Sequence, residues 1–528
     1  MCAYFKRSHQ LREILQHTWI REDPNATTDG GNTLLHSASK LGETKLVNVL
    51  LNTYHSDANI QNKDGNTALH LSVQYGFVNI TESLVKNDWD LEVSNQIGLS
   101  PLQLAALKCH IPSLEILFKH KANHLVLTKR QETILHLACY STLSKILSIK
   151  DDLRSQLENE PLENNTDLNC HNIESQAKTK EQEIQSEAFP CLEMILEKFK
   201  KNPDVLEIED TLETSPGGIL HYFACLNYVE GVKILVQEPF LISPNVFNKN
   251  HLSPLWIASW HNRTALGQVL LEYGADPDVQ DSQIGYTPLH CAILGYHIDR
   301  VTETCNFIEA LLDQGANPRI MDKSGETAPH LSIGTLDFKI MSKFIDHLGS
   351  EVTDIQDETG NTLLHYAVGY LDEHSIYSLM VKGANLMSYN QTECLILDDD
   401  EFNIDQLGFQ VIQIDGKIQR QKSIPIQRIP LQEAMKNGNS TAYFNALRRL
   451  SIKNTLDKMD DKDEAKKFLC MHLVAATREV RPDIVRLLFH ENIFINDLHD
   501  ILLFKEKYNE DDTFRKTALE WAVENNDR

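Results

Sequence analysis

Histidine is the residue type in this chain most ready to do chemistry. There are 22 of them, and His36, His70, His136, His221, His290, His330 and His365 occupy one recurring frame. His36, His70, Gln103 and His136 follow one another at intervals of 34, 33 and 33 residues. A zinc site needs three or four ligands converging on one ion. Successive members of this series belong to different copies of the frame, so they point to a structural use and no metal. Asp398-Asp399-Asp400-Glu401 gathers four acidic residues, but it lacks the alternate ligand positions and the glycine of a calcium loop. It reads as a solvated acidic stretch, or as a short motif for a partner. No glycine-rich phosphate loop, nucleophile elbow or Cys/His catalytic pattern appears. The expectation is a chain with no catalytic residues, no cofactor and no metal.

The frame itself explains the histidines. Asp64-Gly65 makes a tight turn in which the glycine accepts positive φ. Thr67 stands where a helix N-cap belongs, its hydroxyl available to otherwise unpaired amides. A short helix follows, Gly76 ends it, and a second helix carries Ile80, Leu84 and Val85 on one face. Gly31-Asn32-Thr33-Leu34-Leu35-His36, Gly285-Tyr286-Thr287-Pro288-Leu289-His290 and Gly360-Asn361-Thr362-Leu363-Leu364-His365 open further copies. A single unit cannot bury its apolar face, so each requires a neighbour on either side.

These marks, with Leu311-Leu312 leading to Gly315-Ala316, resemble the ankyrin repeat family, whose unit is a turn and two antiparallel helices of about 33 residues. The resemblance implies an all-α solenoid of turn (or β-hairpin) plus helix pairs. It implies that the motif histidine ties adjacent turns by hydrogen bonds. It further implies a non-catalytic scaffold or adaptor that binds a protein on its concave face.

Along the chain, 1–26 reads as an N-terminal capping helix, with Leu11, Ile14 and Leu15 on one face. Residues 27–149 hold repeats one to three and the first half of repeat four. The interval from His136 to His221 is 85 residues, which demands an insertion. We place it at 150–188, where ten acidic and three basic side chains occur with no aromatic between Asp151 and Ala188. Such composition gives little to offset ordering entropy, so a disordered acidic loop is expected there. Residues 189–390 complete repeat four and carry repeats five to nine. A long loop around Ile298 to Cys305 is expected to absorb the 40-residue step from His290 to His330. Residues 391–428 form a second insertion with a β-hairpin at Asp415-Gly416. Residues 429–528 hold divergent repeats, through Gln432 and His472, and a half-repeat cap near Glu520.

A net charge of −25 argues against nucleic acid, whose phosphates need excess Lys and Arg. No apolar run is long enough to span a bilayer. Ten cysteines without a Cys-x-x-Cys pair suggest a reducing compartment, the cytoplasm or the nucleus, and a monomer is expected. Partner-binding candidates are the residues four and five beyond the motif position: Tyr75, Leu107, Tyr140, Leu226, Trp260, His261 and Tyr370. Tyr and Trp are enriched where binding energy concentrates. Three further roles stay open: an inhibitor of a transcription factor resembling the nuclear-factor-kappa-B inhibitors, the cytosolic regulatory region of a larger channel or enzyme, and a secreted effector acting inside host cells.

Overall fold

The architecture comes from a computed structural model. It describes residues 23–86, 89–158, 167–207, 217–295, 301–335, 337–370, 372–390, 412–414, 417–419, 429–436, 440–450, 462–479 and 481–490. The expected helix within 1–26 and the half-repeat around Glu520 lie outside these residues, apart from 23–26. The chain forms two compact units, one of 1–258 with 272–275 and one of 259–271 with 276–528.

In the first unit the helices come in pairs. They are α1 (Leu34–Leu41) with α2 (Thr44–Asn52), α3 (Ala68–Gln74) with α4 (Val78–Val85), and α5 (Pro101–Leu107) with α6 (Ile111–Lys119). Then follow α7 (Ile134–Glu158) with α8 (Asp167–Phe199), and α9 (Ile219–Leu226) with α10 (Val229–Val236). Three of the short first helices begin at Thr or Ser caps, and α9 begins at Gly218. Thr33, Thr67 and Ser100 each close a capping box with the residue three positions on. First helices pack on first helices from α1 to α9, and second helices α2, α4 and α6 do likewise. Leu35, Leu69, Leu102, Ile80, Leu84 and Leu114 are all buried between them.

The turns stack by backbone bonds. Lys63 N–H donates to the Gly30 carbonyl at 3.0 Å, and Gln96 N–H donates to that of Asp64 at 3.0 Å. Gly65 holds φ at 73°, and a Cβ there would stand 2.6 Å from Gln96 N. The glycine is therefore required twice over, for its left-handed backbone and for the approach of the next turn.

Helix α11 (Pro254–Trp260) and helix α12 (Thr264–Glu272) fall where the units divide. The second unit continues with α13 (Pro288–Leu294) and α14 (Val301–Asp313), α15 (Ala328–Gly334) and α16 (Phe338–Leu348), and α17 (Leu363–Gly369) and α18 (Glu373–Lys382). Strands β1 (Ile412–Ile414) and β2 (Lys417–Gln419) pair antiparallel, Gln413 opposite Ile418. The link Asp415-Gly416 lies outside the described residues. Last come α19 (Pro430–Lys436) packed on α20 (Ser440–Arg449), and α21 (Lys462–Arg478) packed on α22 (Pro482–His490).

Two sequence expectations need correction. The segment 150–188 is not a disordered loop where it is described. Helix α7 runs 25 residues to Glu158, and α8 spans 33 residues from Asp167. Gln, Glu, Lys and Ala dominate Gln176–Ala188, and these are good helix formers. The apolar anchor need sit only at one end, where Ala188, Cys191, Leu192, Ile195 and Phe199 are buried as α8 packs along α7. Charge composition excluded a core but did not exclude a helix. The second correction is smaller: 301–305 belong to α14, at 13 residues a lengthened second helix, and only part of the extra length falls outside it.

A proline on the exposed side of α8 tests this. Glu183 is exposed, so Glu183→Pro should cost nothing in a loop and about 3 kcal/mol in a helix interior. We expect a lowered unfolding midpoint and faster tryptic cleavage at Lys178 and Lys180. A variant as stable as the parent would return the segment to a structureless loop.

Candidate protein-binding surface

The motif histidines form a repeated bond set whose polarity can be read atom by atom. Thr33 N–H donates to His36 Nδ1 at 3.2 Å, and an amide can only donate. At the other edge His36 Nε2 lies 2.9 Å from the Asn66 carbonyl, which can only accept. Both contacts demand the same neutral tautomer, with the proton on Nε2. The Thr33 hydroxyl accepts from His36 N–H and turns its own proton to Nδ1, 2.8 Å away. His70 repeats the set with Thr67 and the Leu99 carbonyl at 3.0 Å, His290 with Thr287 and the Glu326 carbonyl at 3.3 Å. His221 and His330 reach the Leu252 and Asn361 carbonyls at 3.0 and 3.1 Å. Each acceptor is the residue just before the next repeat's cap. His136 and His365 hold their own caps, Thr133 and Thr362, at 2.8 and 2.9 Å.

Gln103 stands in for histidine with the same polarity. Its Oε1 accepts from Ser100 N–H at 2.8 Å, and its Nε2 donates to the Val126 carbonyl at 3.0 Å. A neutral amide can copy a neutral imidazole in this site, whereas an imidazolium would have no lone pair for the cap amide. Burial accordingly pushes the histidines down: His70, His221 and His330 to about 4, His36 and His290 in the same direction. His472 departs from the pattern. Its Nδ1 donates to the Phe468 carbonyl at 2.8 Å, and the Tyr443 hydroxyl donates to its Nε2 at 2.9 Å. It is an interior histidine of the long helix α21.

Among the described residues, no group of three or more His, Cys, Asp or Glu side chains could hold a metal, and no helix is long and apolar enough to cross a membrane.

The candidate contact residues divide. Tyr75, Tyr140, Trp260 and Tyr370 are 46%, 50%, 40% and 50% exposed. His261 is also exposed, while Leu107 is half-buried. Leu226 is fully buried and is withdrawn as a contact residue. Gln185 of α8 reaches the Leu226 carbonyl at 2.9 Å, so the helix read as a disordered loop comes against this end of α9. In the first unit, Lys40 Nζ lies 6.0 Å from the Tyr75 ring centre, and Tyr75 stacks on Phe77. In the second, Tyr370 lies 6.5 Å from Tyr366, whose hydroxyl donates to Glu326 at 2.8 Å. Sequence reading passed over Leu294, 41% exposed four residues beyond the motif residue, and the turn-tip residues Ile97 and Ile284 at 77% and 45%. Ile97 and Ile284 directly precede turn glycines, where nothing structural calls for an apolar side chain.

With that geometry in hand, comparison with known proteins identifies the class. A model described as ankyrin repeats (3 copies) matches 1–95 and 220–303, and an ankyrin repeat model matches 284–323. These stretches of the chain carry ankyrin repeats, a repeat that serves as a scaffold for contacts between proteins. Among its relatives, the human BCL-6 corepressor-like protein 1 is 28% identical over 25% of this chain and 8% of its own length. Human neurogenic locus notch homolog protein 1 is 26% identical over 26% of this chain and 5% of its own length. The putative ankyrin repeat protein FPV031 of fowlpox virus is 29% identical over 31% of this chain and 47% of its own length. The chain thus spans less than half the length of each.

The neutral stitch makes stability depend on pH. Unfolded histidines bind protons near their ordinary value of 6.5, while the buried ones resist until about 4. The unfolded state therefore gains protons first, and stability is lost as pH falls from 6.5 toward 4. The slope is at most about 1.4 kcal/mol per pH unit for each such histidine. Urea midpoints measured from pH 7.5 to 5 should fall, and His70→Gln should flatten the fall while keeping the bond to Leu99. A His70→Gln profile as steep as the parent's would remove His70 from this account.

Proposed function

We propose that the chain is a non-catalytic adaptor, monomeric and working in a reducing compartment, that captures a protein partner on the ends of its first helices and its turn tips. The observation that carries this reading is positional. Of the fourteen large apolar side chains exposed among the described residues, six fall on two adjacent motif positions, Tyr140, Trp260 and Leu294 four residues beyond the motif residue and Leu41, Tyr75 and Tyr370 five beyond it. Packing inside a repeat does not require them there, since other copies put Lys108 and Gly334 at these positions. Aromatic side chains lose little rotamer entropy when they bind and bring large contact areas. An acidic chain also favours a partner with basic side chains around such aromatic contacts.

Affinity purification from the native cell supplies the partner, and titration with purified variants tests the surface. Trp260→Ala and Tyr75→Ala should each weaken binding by about 2 kcal/mol, roughly thirtyfold, with little change in unfolding midpoint. Leu226→Ala is the counter-example. It should cost about 2–5 kcal/mol of stability and leave the affinity of the folded fraction unchanged. Aromatic variants that lose several kcal/mol of stability yet bind normally would make these residues packing elements.

A further inference from the structure

Four of the chain's thiols come together in the first unit. Cys109 occupies the turn between α5 and α6 with φ of 50°, in the left-handed region. Its sulfur lies 3.7 Å from the Ala138 carbonyl and 3.7 Å from the Thr142 hydroxyl, both on α7. Cys191, on α8, is fully buried, and its S–H donates a hydrogen bond to the Cys109 sulfur. Cys139 is fully buried beside them, close enough to sense the charge of both Cys109 and Cys225. Cys109 alone of the hydrogen-bonded pair is partly open to solvent.

We propose that Cys109 and Cys191 form an oxidisable pair, in which Cys109 reacts with a peroxide and Cys191 closes the disulfide. The division of labour follows from access and bonding. The Cys191 S–H, the Thr142 hydroxyl and the nearby Lys145 all favour a thiolate at Cys109, and together they outweigh its burial and bring it down to about 7. Cys191 and Cys139 go the other way, Cys191 held as a thiol by its hydrogen bond to Cys109 and then by burial, Cys139 by burial and the neighbouring sulfur charges. A partly exposed thiolate beside a second thiol is the arrangement of a peroxide-reactive cysteine with its resolving partner.

The chemistry balances with hydrogen peroxide as the oxidant. The Cys109 thiolate attacks one peroxide oxygen, the O–O bond breaks, and the departing hydroxide takes a proton to become water, leaving a sulfenic acid. The Cys191 sulfur then displaces that hydroxyl, an S–S bond forms, and the Cys191 proton leaves in a second water. Two thiols lose two electrons and one peroxide gains them. The product joins the α5–α6 turn to α8. Ala138 and Thr142 bracket Tyr140 in sequence on α7, so the modification falls on the helix that carries one of the proposed contact residues.

The experiment treats the full chain with a few equivalents of hydrogen peroxide, blocks remaining thiols with iodoacetamide, and maps tryptic peptides without reduction. Cys109 and Cys191 fall in separate single-cysteine peptides, Cys109–Lys119 and Glu181–Lys198. We expect these two to be linked before any other pair, and released by dithiothreitol. Cys191→Ser should leave a Cys109 sulfenic acid that dimedone traps, and Cys109→Ser should leave Cys191 reduced. Preferential linkage of Cys139 or Cys225, or a Cys109 that stays reduced while other thiols oxidise, would overturn the assignment. Oxidation of Cys191 in the Cys109→Ser variant would overturn the proposed order of attack.

Discussion

The fold depends on keeping a buried imidazole neutral. In each complete copy of the bond set, one ring nitrogen accepts from the repeat's own cap and the other donates to the carbonyl that precedes the next cap. A single such hydrogen bond contributes on the order of 1 kcal/mol. Its value lies in repetition, because solenoid stability is close to a sum over repeats and interfaces. The bond also fixes distance and rotation between successive turns, which lets Lys63 and Gln96 find the backbone carbonyls of the turns before them. Side-chain amides add a second rail beside it: Asn62 donates to Asn32 at 2.9 Å, and Asn95 to Asn66 at 3.1 Å. First helices set at a constant spacing then hold their terminal residues at a constant spacing as well. The exposed tyrosines therefore inherit their positions from the histidines.

The parts of this structure that could be read from sequence are those decided within a few residues. Asp64-Gly65, Thr67 and His70 specify a turn, a cap and a helix start by local bonds, so the paired helices could be placed by counting. What escaped reading depends on distant partners. Nothing within Asp167–Ala188 announces that Cys191 to Phe199 will anchor a 33-residue helix against α7. Leu226 and Tyr370 hold the same place in the motif, yet one is buried and the other exposed, and Gln185 of α8 reaches the Leu226 carbonyl. His472 looked like another member of the series. With Leu469 in place of a Thr three residues before it, it adopts the opposite wiring, inside a 17-residue helix. Periodicity gives position, whereas bonding requires the cap.

Surface and interior impose different demands on the same helix. Along α3, residues 68 to 73 are all buried, and Tyr75 is exposed one residue past the helix end. The helix thus passes from dense packing to open aromatic surface within two positions. Such an edge keeps contact residues on a rigid support, so that little ordering cost remains to be met when a partner arrives. The same rigidity explains why an insertion such as α8 can reshape the surface locally while leaving the neighbouring repeats in register.

The histidine stitch also has a direction. Each ring takes its proton-accepting contact from residues already behind it in the chain and gives its N–H to a carbonyl some thirty residues ahead, as His36 does to Asn66 and His330 to Asn361. Synthesis runs the same way, with N-terminal segments available first. On the ribosome, then, a newly emerged repeat can complete its own cap but keeps an open donor at its leading edge until the next turn arrives. That growing edge carries a hydrated histidine of ordinary basicity, which becomes a buried neutral one as the following repeat closes over it. Folding can therefore advance one repeat at a time, each unit leaving a half-made bond for its successor.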